Sequence, residues 1–473
     1  MRGTRNPVRI PQLLGVLAAL LLATGAVAQE RTIDAVLADY LAIALDGNLG
    51  LQREDISVQQ SLAALAEARG RYLPQVSLES RFSRAEGGRT LDLPLGDLIN
   101  PVYATLNELL IAQGRPPAFR PIDNSEFAFL REQEQQTYVH LVQPLYAPEI
   151  RAGVRARKAL AASAQATRDS VARTLARDVP TAYHSWLRAR QGLGIVEASR
   201  ELLQENLRVN ESLYQNGKTT RDQMLRARAE LLEVEQQRVR IASTLDVARS
   251  YFNFLLNRAL DAPIEPATVA AGAVTLPALE DLQSRALEQR PELRQLESAG
   301  AAALAQVSAA NARFKPTIAL ALESGVQGEE YRFGSEDDYS IASLTFSWNL
   351  FNGNQDRARV SQARLTARSI GLQREDAEHR IALEVEQAFG EMRAAFSALG
   401  TALARQEAAR EAFKIAARKR DAGVISQVEF LDARTTLTNA ELNYSVTQFD
   451  LLTRRAELEY ATGAAPGIAA AAR

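Results

Sequence analysis

The chain has no cysteine among its 473 residues. Disulfides, cysteine–metal centres and thiol nucleophiles are therefore excluded, and the composition suits an oxidising compartment without requiring one. Histidine is almost as scarce, with only His140, His184 and His379. None of them stands four residues from a second histidine, so no metal site or histidine-activated nucleophile is expected. Only five of the 55 basic residues are lysine, and the net charge is -2. No bulk field would draw such a chain to nucleic acid. Gly87-Gly88 lacks the strand-then-helix setting of a phosphate loop. The acidic residues are dispersed along helical stretches, as solvated faces usually are. No catalytic residue and no cofactor is expected.

Long apolar runs are also missing. No segment after the N-terminus reaches the ~18 apolar residues of a spanning helix. The N-terminus itself carries Arg2, Arg5 and Arg9 before Leu13–Ala23, and then Ala26-Val27-Ala28. This pattern reads as a signal peptide over residues 1–28. No cysteine follows the cleavage position, so a lipid on cysteine is not expected. An exported chain of this kind enters a membrane only as a β-barrel.

What is present is a doubled text. Ala44-Leu45 through Leu73-Pro74 recurs as Ala286-Leu287 through Lys315-Pro316, 242 residues later. Leu213-Tyr214-Gln215-Asn216-Gly217 followed by Leu225-Arg226-Ala227-Arg228 recurs as Arg420-Asp421-Ala422-Gly423 followed by Leu431-Asp432-Ala433-Arg434, 206 residues later. Such a period has to be explained before any local motif is read. The first copy spans 29–258, a connector follows at 259–278, the second copy spans 279–463, and a tail covers 464–473.

Within each copy the apolar spacing changes from helical to alternating and back. Helices are expected over Thr32–Leu45 and Leu51–Tyr72, and again over Leu279–Leu287 and Leu293–Phe314. Strands are expected at about 75–84 and 135–144, and at about 317–327 and 339–349. Val76, Leu78, Ile318, Leu320, Leu344 and Phe346 form the apolar side of the alternation. A polar side opposite an apolar side over 9–11 residues matches a membrane barrel strand with a wet lumen. An ordinary half-buried strand of a soluble sheet fits each segment equally well. Four strands cannot close a barrel, since bacterial barrels start at eight, so a barrel requires an oligomer.

Very long helices are expected over Glu149–Tyr214 and Gln355–Arg420, each about 100 Å at a ~1.5 Å rise per residue. They end at Gly217 and Gly423, which suit a helix C′ position. Partner helices return over Thr220–Leu256 and Ser426–Tyr460. Pro180 is expected to kink or break the first long helix. The first pair of strands encloses 37 more residues than the second, roughly Arg84–Asn124, rich in glycine, proline and asparagine with a short apolar patch at Tyr103–Ile111. Long barrel loops lie on the outer side, which places this insertion outside the cell.

In this order the blocks Arg290-Pro291-Glu292-Leu293, Lys315-Pro316-Thr317-Ile318, Asn349-Leu350-Phe351-Asn352-Gly353, Gly423 with Glu429-Phe430-Leu431-Asp432-Ala433, and Tyr460-Ala461-Thr462-Gly463 resemble the TolC-like outer-membrane efflux proteins. The resemblance covers Thr32 to Gly463. It implies a mainly α fold with a small membrane β-barrel: two tandem repeats, long helical hairpins forming a periplasmic α-barrel, and four β-strands per chain completing a trimeric 12-stranded barrel. It implies a homotrimer in outer-membrane lipid, a periplasmic adaptor (membrane fusion) protein, an inner-membrane RND, ABC or MFS transporter, and no nucleic-acid partner. The connector and the C-terminal tail would form an equatorial band.

The family closes its periplasmic entrance with acidic residues after the second hairpin glycine, which here fall on Glu429 and Asp432. Without that resemblance, two solvated carboxylates at a helix start would need no further role. Gln223 and Arg226 hold the matching places of the first hairpin, and Arg226 is expected to pair with Asp432 of the same or a neighbouring chain. Arg420 and Ile425 depart from the family's latch residues, so that latch is not carried over. Adaptor docking would use Leu213, Tyr214, Gly217 and Lys218 on one tip and Gly423, Val424 and Ile425 on the other. Tyr214 could equally staple its own hairpin. The function expected is an exit duct for small-molecule efflux. A duct for type I protein secretion and an exported helical scaffold or adhesion protein without a pore are the alternatives.

Overall fold

The computed structural model describes residues 31–269, 277–330, 332, 334 and 336–464. The expected signal peptide, part of the expected connector and nearly all of the tail therefore lie outside the described residues. The first copy folds as α1 (Ile33–Gly47), α2 (Leu49–Gly70), β1 (Gln75–Arg84), β2 (Thr90–Leu93), α3 (Leu95–Ala112), β3 (Ser125–Ala128), β4 (Gln133–Tyr146), α4 (Pro148–Gln215) and α5 (Arg221–Leu255). The second gives α6 (Leu279–Gln289), α7 (Pro291–Ala312), β5 (Thr317–Gly328), β6 (Asp338–Ser347), α8 (Gln355–Asp421) and α9 (Gln427–Ala461). The order α-α-β-β-α-α thus occurs twice, and β2, α3 and β3 are additions to the first copy. No helix among the described residues is long and apolar enough to cross a membrane.

The chain forms two compact units. One contains Gln60–Ala162 and Ser298–Gly371, and with them the sheet. Its four strands run antiparallel in the order β1-β4-β5-β6. Val76 pairs with Leu141, which pairs with Leu322; Leu320 pairs with Leu344, and Ile318 with Phe346. Directly opposed residues share a sheet face, so Val76, Leu78, Ile318, Leu320, Leu344 and Phe346 all fall on one side.

The insertion is more ordered than its glycine and proline content suggested. β2 and β3 pair as a ribbon, and α3 carries Pro101 in its second turn without ending there. The short apolar patch expected at Tyr103–Ile111 is the latter part of this 18-residue helix.

Among the described residues the other unit contains Arg31–Gln59, Ser163–Glu297 and Leu372–Ala464. One core gathers Tyr40, Tyr183, Trp186 and Phe252 from α1, α4 and α5. The Tyr40 and Phe252 rings meet edge-on at 4.9 Å, and Tyr183 stacks on Trp186 at 5.8 Å. The connector is tied to this core, because the Tyr183 hydroxyl donates to Glu265 O (2.8 Å) and Glu265 N–H donates to the Tyr40 hydroxyl (2.9 Å). A second core gathers Leu282, Ile381, Val385, Met392 and Leu458 from α6, α8 and α9. Leu175, Val179 and Trp186 of the first core stand 206 residues before Ile381, Val385 and Met392 of the second.

Pro180 does not break α4, which continues through it as one helix. An interior proline costs about 3 kcal/mol. Here Pro180 is buried between Val179 and Tyr183, both fully buried, so core packing offsets that cost. The Arg290-Pro291-Glu292 block is explained by the start of α7. Pro291 opens the helix, while buried Arg290 pairs with Glu292 (3.0 Å) and Glu384 (2.6 Å). Arg173, Arg177 and Arg290 all approach the Tyr460 ring, at 5.4, 4.6 and 5.4 Å.

Candidate functional site

Both helical tips are closed by the same turn. Gly217 has φ +66° and Gly423 φ +69°, values that side chains other than glycine rarely adopt. Lys218 N–H donates to Leu213 O (2.8 Å) and Gly217 N–H to Tyr214 O (2.9 Å). Val424 N–H donates to Lys419 O and Gly423 N–H to Arg420 O, both at 2.8 Å. This paired 6→1 and 5→2 pattern is the Schellman motif, which satisfies the last helical carbonyls. Leu213, Tyr214, Gly217, Lys218, Gly423 and Val424 are exposed on the tips; Ile425 instead turns half inward against the core around Phe430.

The helices leaving the two turns differ. Ser426 caps α9 by accepting from Glu429 N–H (3.3 Å). Glu429 and Asp432, one turn apart, lie on the exposed side of α9, while Phe430, Leu431 and Arg434 face inward. At the start of α5, Gln223 accepts from the Thr219 hydroxyl (2.8 Å), and Gln223 and Arg226 are both exposed. The pairing of Arg226 with Asp432 does not form within the chain, where no ion pair joins them among the described residues. Arg226 instead lies one turn beyond Asp222 on its own helix. The Thr220 hydroxyl hydrogen bond holds the Asp222 carboxyl below its ordinary range, and Arg226 adds to that effect.

The second tip carries a stack that sequence reasoning missed. Arg420 lies 4.0 Å over the Phe430 ring, Phe430 is 5.7 Å from Phe413, and Arg434 lies 5.4 Å over Phe413. Arg434 is only 8% exposed and has no carboxylate within ion-pair distance among the described residues. Its Nε donates to the Ser199 hydroxyl on α4 (3.3 Å), so it links the two hairpins, and burial lowers its pKa. The only sequence signal was periodic: Phe413 and Arg420 are seven residues apart and Phe430 and Arg434 four, so each pair falls on one helical face.

On the sheet, the side opposite the apolar positions is polar and internally bonded. The Tyr138 hydroxyl donates to Glu79 (2.6 Å), the Tyr339 hydroxyl to Glu323 (2.6 Å), and Gln136 donates to the Tyr339 hydroxyl (3.1 Å). His140 lies 3.6 Å from Glu323 across the β4–β5 ladder, a proximity invisible in sequence because the partners are 183 residues apart. Among the described residues no three His, Asp or Glu side chains gather as a metal-binding group.

His184 is the remaining histidine with an unusual setting. It lines a cavity of about 570 Å³ with Leu37, Leu41, Pro180, Arg455 and Glu459. It is 5% exposed, its Nδ1 has no hydrogen-bond partner, and burial, assisted by Arg455, pulls its pKa down to about 4.

The sequence model of the outer membrane efflux protein family matches residues 41–258 and 282–464. The chain is 33% identical to Protein CyaE of Bordetella pertussis over 162 residues, only 33% of each chain. It is 23% identical to the alkaline protease secretion protein AprF of Pseudomonas aeruginosa over 71% of each chain. It is 26% identical to the solvent efflux pump outer membrane protein SrpC of Pseudomonas putida, over 62% of this chain and 63% of that one. In structure it resembles the CmeC outer membrane channel of Campylobacter jejuni, with a TM-score of 0.74 at 17% identity over 91% of this chain and 86% of that one.

Proposed function

Because the chain belongs to the outer membrane efflux protein family, we propose that three copies close one barrel in the outer membrane and act as the exit duct of a tripartite efflux pump for small molecules. The observation that carries this reading is the open sheet. β1 and β6 are its edges, and four strands are too few to close on themselves. Long unpaired edges invite another chain, and three copies supply twelve strands. In this arrangement Val76, Leu78, Ile318, Leu320, Leu344 and Phe346 face lipid, while the side with Glu79, Tyr138, His140 and Glu323 faces the lumen.

The long hairpins line the periplasmic tunnel. Three copies of Glu429 and Asp432 ring its mouth, where like charges favour cations and hinder anions. Arg226 of the other hairpin moderates that field, and neutral Gln223 stands at the place matching Glu429. The exposed turns Leu213–Lys218 and Gly423–Val424, with Ile425 behind them, dock a periplasmic adaptor, and an RND, ABC or MFS transporter in the inner membrane supplies the energy. The similarity to AprF across 71% of the chain favours a second reading, a duct for secreted polypeptides.

Purified protein reconstituted in lipid is expected to have a native mass of three chains and to form pores of a single conductance. Monomers without conductance would overturn the reading. Deleting the gene then separates the two cargoes. Raised sensitivity to drugs, detergents or solvents identifies efflux, and loss of an exported polypeptide with unchanged sensitivity identifies secretion.

A further inference from the structure

The insertion between β1 and β4 has an apolar helix face turned to solvent. α3 is pinned on its other side. The Asn100 side chain donates to Ile122 O and accepts from Ile122 N–H, both at 2.8 Å. Asn107 accepts from Ala118 and Phe119 N–H (3.1 Å each) and donates to Phe119 O (2.6 Å). At Gly96 a Cβ would sit 2.6 Å from Ile122 O, so the helix approaches the returning strap as closely as a backbone can. Gly96, Asn100 and Asn107 make one stripe of the helix. Leu95, Leu98, Val102 and Leu109 make the opposite stripe, at spacings of three, four and seven, which are the a and d positions of a helix–helix seam. Leu98 is 73% exposed, Val102 56% and Leu109 55%.

Resting on the trimer reading above, we propose that this stripe is an interface between copies of the chain, with three α3 helices packing together as a collar at the outer mouth of the barrel. The placement of the insertion supports a second copy as the occupant. Ala85 N–H donates to Glu132 O (2.9 Å) and Phe129 N–H to Arg89 O (3.0 Å), and the β2–β3 ladder continues from there. The β1–β4 hairpin is thus prolonged past the sheet as a two-stranded ribbon carrying α3. β1 is a sheet edge, so a copy that extends the sheet at β1 arrives beside that ribbon. Charge disfavours a membrane surface as the occupant. α3 contains Asp97 and Glu108 but no lysine or arginine, whereas a helix lying on an anionic lipid surface carries basic residues on its polar face.

The absence of native cysteine makes the test clean. Leu98→Cys and Val102→Cys, in the full chain in detergent or lipid, are treated with a short bifunctional maleimide, with Arg115→Cys as a control beyond the helix. Native mass is read in parallel. Covalent dimers and trimers from Leu98→Cys and Val102→Cys, with only background from Arg115→Cys, are the expected result. A native trimer that gives no such products overturns the collar and leaves the trimer standing. A native monomer overturns both. An environment-sensitive dye on the cysteine of Val102→Cys that shifts on transfer to vesicles, without cross-linking, assigns the stripe to lipid and also overturns the collar.

Discussion

The two helical hairpins are built on the same plan and finish differently. Val179 and Val385 are both fully buried, 206 residues apart, and the two tips turn on glycines with φ within 3° of each other. Counting the same offset elsewhere exposes the divergence. Tyr183 and Trp186 become Phe389 and Met392, buried His184 becomes Gly390, and Pro180 becomes Glu386. At the tips, Tyr214 and Met224 become Arg420 and Phe430, and that change creates the arginine–phenylalanine stack of the second hairpin. Positions that build the scaffold keep their character, whereas positions at the ends and in one cavity do not. A tube of the proposed kind needs equal walls, and its mouth can be made unequal without disturbing them.

Equality of the walls is tested most strongly on the sheet. Leu78 and Leu320 are 242 residues apart and lie on the same sheet face. Leu78→Arg and Leu320→Arg should each hinder membrane insertion by ~2–4 kcal/mol if both face lipid near the midplane. Titrating folding into vesicles against denaturant checks this. A large penalty at one site and none at the other would break the equivalence of the copies.

His184 should give the first hairpin an acid-sensitive group that the second lacks. Unfolded, its imidazole takes a proton below its ordinary value of 6.5; folded, it resists protonation down to about 4. Stability is therefore complete above about pH 6.5 and is lost as pH falls towards 4, by up to ~3 kcal/mol. Chemical denaturation at pH 7 and pH 4.5 should show the loss, and His184→Gln should flatten it. An unchanged slope in His184→Gln would show that other groups carry the acid response. The second copy has no counterpart, since Gly390 stands in that place.

The tip stack predicts a smaller asymmetry. Arg420→Gln removes one part-exposed cation–π contact, worth ~0.5–1 kcal/mol. Amide hydrogen exchange should quicken near Lys419–Ile425 and stay unchanged around Leu213–Lys218. Equal effects at both tips would contradict an independent lock on the second.

Much of this architecture was legible in sequence because periodicity survives in long elements. Strand limits at 75–84 and 317–327, and the four long helices, are observed within about two residues of where hydrophobic spacing and the tip glycines place them. The insertion was less legible. Its apolar stripe is interrupted by Pro101, and its order depends on Asn100, Asn107 and Asn124 reaching across 11 to 27 residues, which no local pattern records. Pro180 read as a breaker because local propensity says nothing of the core holding it. The second tip was half legible. Glu429 and Asp432 are exposed side by side on α9, but buried Arg434 looked like one more helical arginine until Ser199, 235 residues away, was seen beside it.

The proposed inequality of the two hairpin tips at the mouth is tested most directly by ion selectivity. Reversal potentials of the reconstituted channel in a salt gradient should lie on the cation-selective side for the native chain. They should move towards zero in Glu429→Gln/Asp432→Asn, with loss of inhibition by multivalent cations, while Gln223→Ala leaves them in place. A double variant whose reversal potential matches that of the native chain would contradict the assignment of the charged mouth to the second hairpin.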